Sequence, residues 1–86
     1  MTDKLHKWLK FVSNKSVLAV LFYLDRYGHT APKTVRDDLN ISRKVMKRIV
    51  DRLDEEGMID VDNVGIMLSD KGRVATTVLS GIAEGR

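Results

Sequence analysis

The chain predicts a mainly α-helical domain with one small β-hairpin, an α+β class. Three observations predict it. Apolar residues recur three and four apart in residues 3–12, in 43–56 and in the stretch after Ser69, the spacing of one helical face. Capping residues, one proline and several glycines fall between these stretches as starts and stops. Two short apolar runs, 58–61 and 66–68, flank Asp62-Asn63-Val64-Gly65 and read as a hairpin with a tight turn.

Each element has a local reason. Leu5, Trp8, Leu9 and Val12 form the stripe of an N-terminal helix, 3–12. Ser13 or Asn14 caps the next helix, 15–27, which is apolar nearly all round and forms the centre of the core; Gly28 ends it. Pro32 suits the first turn of a short helix reaching Leu39, although Ala31 before it is a poor cap. Asn40 and Ile41 make a turn, since Asn tolerates a left-handed backbone. Ser42 caps the helix 43–56, and Gly57 stops it. Ser69 caps a last helix, 70–83, with apolar positions Val74, Ala75, Val78, Leu79 and Ile82. Thr76, Thr77 and Val78 are weak helix formers, so packing must hold this helix. Gly85 and Arg86 are expected to fray.

With 86 residues the chain makes one domain, 1–86. A chain this short buries only about 60–65% of its unfolded surface, so a core shared between two copies would help it. Apolar content of 43% and charged content of 31% are an ordinary globular mix. The absence of cysteine excludes disulfides, thiolate metal sites and thiol redox sensing. The first residues are polar, with no apolar h-region, so no signal peptide is expected; the longest apolar run is too short to span a bilayer. These points suit a cytoplasmic protein without membrane contact.

The net charge of +3 says less than its distribution. Residues 42–52 carry five cations and one acid, and residues 54–62 carry five acids and no cation. At about 100° per residue, Met46, Ile49, Val50 and Leu53 share one side of the helix. Arg43, Lys44, Lys47 and Arg48 share the opposite side, in the first half, where a recognition helix touches DNA. Val45 lies on one flank, placed to meet a thymine methyl, while Asp51 limits how deep the helix runs. Most lysine-rich faces are simply solvated. Solvated helices, however, usually mix Glu with Lys at i,i+4, whereas the first two turns here hold cations alone. They also lie at the helix N-terminus, where the macrodipole disfavours each by about 0.3 kcal/mol or more. Polyanion binding is the simplest compensation.

The order helix, short helix, turn, basic helix, Gly, hairpin, helix resembles the winged helix-turn-helix regulators, nearest to the MarR- and ArsR-type repressors. Val35, Leu39, Asn40-Ile41-Ser42, Met46, Val50, Leu53 and Gly57-Met58-Ile59 carry the resemblance. Leu68-Ser69-Asp70-Lys71-Gly72-Arg73 is similar to the family's segment after the wing. The resemblance covers 15–82 and implies a winged core of 15–68 with an extra helix at each end. It implies that Arg43, Lys44, Val45, Lys47 and Arg48 meet base edges and phosphates of double-stranded DNA. It implies phosphate contacts for Lys33 and Thr34. It also implies that the outer helices dimerise. Two departures stand out. The hairpin tip is short and acidic, which disfavours a minor-groove wing contact. Arg36 replaces a small residue, so either the two helices pack less closely or Arg36 reaches solvent or phosphate.

The expected function is a sequence-specific DNA-binding transcriptional regulator, a repressor acting as a homodimer. Its dimer seam is read as Leu5, Trp8, Leu9 and Val12 against Val78, Leu79 and Ile82 of a partner. Such a stripe also suits packing on the chain's own core. Lys4, Lys7, Lys10 and Lys15 read as a solvated face, and Asp54-Glu55-Glu56 as a solvated helix end. His6 and His29 stand isolated, so no metal or other cofactor is expected. No phosphate loop, nucleophile elbow or carboxylate pair appears, and an enzyme is not expected. A small-molecule effector is left open. The rival reading is a winged-helix protein–protein interaction module; RNA binding ranks last, for want of an exposed aromatic platform.

Overall fold

The computed structural model describes residues 2–83, so Gly85 and Arg86 lie outside the described residues. The elements run α1 (Thr2–Val12), α2 (Lys15–Tyr27), α3 (Pro32–Leu39), α4 (Arg43–Glu55), β1 (Ile59–Val61), β2 (Ile66–Leu68) and α5 (Asp70–Ala83). Helices α2, α3 and α4 form a trihelical core, the hairpin follows, and α1 and α5 are added at the ends. This is a winged helix-turn-helix arrangement with two extra helices.

The helix ends follow local chemistry. Asn14, rather than Ser13, caps α2, its side chain accepting from the Ser16 N–H at 2.9 Å. Ser42 Oγ accepts from the Val45 N–H at 3.2 Å and starts α4. Ala31 makes no side-chain cap, and Pro32 opens α3 without one. Asn40 takes the left-handed conformation (φ 56°), and the Ile41 N–H returns to the Arg36 carbonyl at 2.8 Å, closing the turn between α3 and α4. Ser69 Oγ accepts from the Gly72 N–H and donates to the Gly57 carbonyl, tying the start of α5 to the end of α4.

The strands pair antiparallel, with Ile59 opposite Leu68 and Val61 opposite Ile66. The first strand is one residue shorter than expected. Met58 instead donates to the Leu53 carbonyl and accepts from the Ser69 N–H, closing the junction between α4, β1 and α5. An isolated antiparallel bridge adjoins this two-stranded sheet, where Thr30 exchanges two backbone hydrogen bonds with Ile66, at 2.9 and 3.0 Å. The link between α2 and α3 is thereby fastened to the hairpin.

One cluster of buried apolar side chains holds the fold: Val17, Val20, Leu21 and Leu24 of α2, Val35 of α3, Met46, Ile49 and Leu53 of α4, and Met58, Ile59, Ile66 and Leu68 around the hairpin. Each such aliphatic side chain contributes about 1.5–3 kcal/mol on burial. The last helix packs on the core by its Ala75, Thr76 and Leu79 side. Val74, Val78 and Ile82 are 58–66% exposed, while Thr76 is buried and Ala75 and Leu79 pack on the core. Gly72 explains this seating: a Cβ there would collide with the Met58 carbonyl, so α5 approaches the hairpin junction on its glycine side. Thr76 satisfies its hydroxyl within the helix, donating to the Gly72 carbonyl at 2.7 Å. Among the described residues no helix is long and apolar enough to cross a membrane.

Gly65 is buried where the hairpin meets Thr30. A Cβ there would strike the Thr30 carbonyl and lie 2.8 Å from the Ala31 nitrogen. Gly65→Ala is expected to destabilise the fold by about 1–3 kcal/mol. Gly81→Ala, with open space around the new methyl, is expected to be neutral or to stabilise α5 by up to about 1 kcal/mol. Denaturant melts of the two variants check this contrast; equal stabilities would contradict it.

Candidate nucleic-acid interface

Burial of Met46, Ile49 and Leu53 turns the opposite side of α4 to solvent. Arg43, Lys44, Lys47 and Arg48 are all exposed, and Val45 is 38% exposed at one flank. On the other flank α4 and α3 enclose a groove of about 300 Å³. Lys33, Arg36, Arg43 and Lys47 line it around an apolar floor of Pro32, Met46 and Val50. Arg36 is therefore half-buried beside the basic helix and joins its cations. Thr34 is exposed on α3 but is not among the residues lining this groove.

These cations are not equivalent. Lys47 pairs with Asp51 at 3.1 Å and Lys33 with Asp37 at 3.2 Å, each across one helical turn and in solvent. Such exposed pairs are worth about 0.3–0.5 kcal/mol and exchange readily for another anion. Among the described residues Arg36, Arg43, Lys44 and Arg48 form no ion pair within the chain.

The Val45 flank was less visible in the sequence. Here α4 meets the corner between α1 and α2 in a second groove of about 250 Å³, lined by Phe11, Asn14, Val45, Arg48 and Arg52. The Arg52 guanidinium lies 5.1 Å from the centre of the Phe11 ring and bonds Glu56 at 3.2 Å, so it is committed to packing. The end of α4 is also less unfavourable than its acids suggest: Lys71 Nζ donates to the Glu56 carbonyl at 2.8 Å, a cation at the negative helix pole.

The hairpin tip is a closed unit. Asp62 Oδ1 accepts from the Gly65 N–H at 3.0 Å, from the Val64 N–H at 2.9 Å and from His29 Nε2 at 2.9 Å. The Gly65 N–H above all, then the Val64 N–H and His29, hold this carboxyl below its ordinary range. His29 is thus not isolated, since the Thr30 link carries it to the hairpin. Val61 and Val64 stay exposed beside these acids. Among the described residues no group of three or more His, Cys, Asp or Glu side chains is placed to hold a metal ion.

The expected seam is divided. Val12 is buried within its own chain, and Trp8 packs against its own core, 5.8 Å from the Phe11 ring and beside Met58 and Lys71. Val12 is thereby committed to its own chain, whereas Trp8 is half-buried and keeps part of its ring exposed. Leu5 and Leu9 are exposed, as are Val78 and Ile82, while Leu79 packs on the core. Leu9, Leu18, Leu79 and Ile82 line an open apolar groove of about 590 Å³ between α1 and α5.

Behind the basic face, the Tyr23 hydroxyl donates to Asp38 and joins α2 to α3. That hydrogen bond, with some desolvation and the Asp38 charge, pushes the Tyr23 hydroxyl from 10.0 up to about 12. A folded value above the unfolded one means that this link stabilises fully below pH 10 and is lost as pH rises through 12. Absorbance titration is expected to show a tyrosine midpoint near 12 that returns towards 10 in Asp38→Asn. An unchanged titration in the variant would refute the link.

No protein-family model matches the chain, and no curated protein matches it.

Proposed function

We propose that this chain is a sequence-specific, double-stranded DNA-binding transcriptional regulator of the winged helix-turn-helix type, nearest in residue pattern to the MarR- and ArsR-type repressors. One observation carries the reading: α4 buries one face in the core and presents Arg43, Lys44, Lys47 and Arg48 together on the other. A helix of about 10–12 Å diameter fits a major groove about 12 Å wide. Phosphate contacts from these cations supply affinity, and those reaching guanine edges supply sequence preference. Repression by occupying a promoter is the simplest mode of action, and the cytoplasm is its compartment.

The regulator acts as a homodimer whose two α4 helices enter successive major grooves about one helical turn apart. Exposed Leu5, Leu9, Val78 and Ile82 supply the apolar surface for that contact. A second reading, an interaction module without DNA, is favoured by the exposed valines beside the acids of the hairpin.

Titration of a labelled duplex at several salt concentrations tests the DNA reading. Lys44→Ala is expected to weaken binding and to flatten the slope of log K against log salt by about one unit. Asp51→Asn removes the carboxylate that holds Lys47 and is expected to tighten binding. Unchanged affinity in both Lys44→Ala and Arg43→Ala would sink the recognition-helix proposal. For assembly, Leu9→Glu and Ile82→Glu are expected to shift sedimentation towards monomer while leaving the helical circular dichroism spectrum unchanged, because both side chains are exposed in the single chain. A wild-type chain that sediments as a monomer at high micromolar concentration would remove the dimer.

A further inference from the structure

A domain of this architecture has the exposed face of the recognition helix, the two flanks of that helix and the hairpin from which to hold a duplex. In this chain the hairpin is poorly suited. Residues 59–68 contain no Lys or Arg and two carboxylates, Asp60 and Asp62. Asp62 is locked into the loop by the Val64 and Gly65 N–H groups, so its charge stays at the tip. A phosphate approaching there meets two carboxylates, one of them hydrogen-bonded to His29.

The two sides of α4 differ sharply from that. One borders the groove of Lys33, Arg36, Arg43 and Lys47. The other borders the groove at the α1–α2 corner, where Arg48 and Asn14 face the same space as Phe11 and Val45. Arg52, the second cation of that groove, is held by Glu56 and Phe11, while Arg48 forms no ion pair among the described residues. Asn14 uses its side-chain oxygen on the Ser16 N–H and retains its amide donors. The grooves lie on opposite flanks of α4, a helix whose diameter is close to the width of a major groove.

Building on the DNA-binding reading, we infer that the duplex is gripped on both flanks of α4, one backbone in the α3 groove and the other against the α1–α2 corner, with the hairpin outside the contact. Arg36 and Arg43 serve the first backbone; Arg48 and Asn14 serve the second. Phosphate held on both sides centres α4 in its groove and takes over the work that a basic wing would do in the neighbouring minor groove.

The test uses the full chain and a labelled duplex selected from a random-sequence pool. Hydroxyl-radical footprinting is expected to show protection of the two backbones bordering one major groove per protomer, with the adjoining minor groove cleaved freely. Arg36→Ala and Arg48→Ala are each expected to lower affinity severalfold and to reduce the salt slope by about one unit. Asn14→Asp keeps a good helix cap, so it should preserve Tm while its added charge weakens binding. Val64→Ser at the exposed hairpin tip should change neither affinity nor slope. Minor-groove protection, or a loss of affinity in Val64→Ser, would overturn the two-flank grip. So would wild-type binding by Arg48→Ala and Asn14→Asp while Lys44→Ala is impaired, a result that leaves the DNA reading standing. Failure of the wild-type chain to bind any selected duplex would instead remove that reading itself, and this inference with it.

Discussion

The structure depends on how α4 is seated against α3 and the hairpin. Met46, Ile49 and Leu53 enter the same buried cluster as Val35, Ile59 and Ile66, and this packing sets the rotation of α4 about its own axis. At about 100° per residue, one step of slippage would carry Met46 towards solvent and Arg43 or Lys47 towards the core. Burying an unpaired cation costs far more than an aliphatic contact contributes. Apolar packing inside and charge outside therefore enforce one orientation, and every property of the basic face follows from it.

Much of the fold was legible because the elements are punctuated locally. Asn14, Asn40, Ser42 and Gly57 act within three or four residues of themselves, so their roles can be read from spacing. Features that join distant segments were not legible. Tyr23 meets Asp38 across 15 positions and His29 meets Asp62 across 33, and nothing in either neighbourhood announces the partner. The inward side of α5 was not legible for a related reason. Its valines and Ile82 make the more hydrophobic stripe, but Gly72 allows backbone approach only on another side, and the helix takes a buried threonine with its hydroxyl internally bonded. Steric access outweighed hydrophobicity there.

The candidate interface divides in the same way. The exposed row on α4 is a property of one helix and could be read from its periodicity. The flanks are properties of tertiary packing. That Arg36 would join Arg43, and that Phe11 and Asn14 would stand beside Arg48, depends on where α3 and α1 come to rest. Trp8 shows the limit from the other side: an amphipathic stripe identifies which residues seek burial, not whether the cover comes from the same chain or another.

The two backbone hydrogen bonds between Thr30 and Ile66 have a mechanical consequence. Thr30 lies two residues before Pro32, where α3 begins, so the hairpin is joined through backbone to the start of that helix. Pulling on the hairpin transmits force to the first turn of α3 and thus to the wall that carries Lys33 and Arg36. A partner seated on the exposed valines would in this way strain the opening beside α4 from a distance, without touching a single cation.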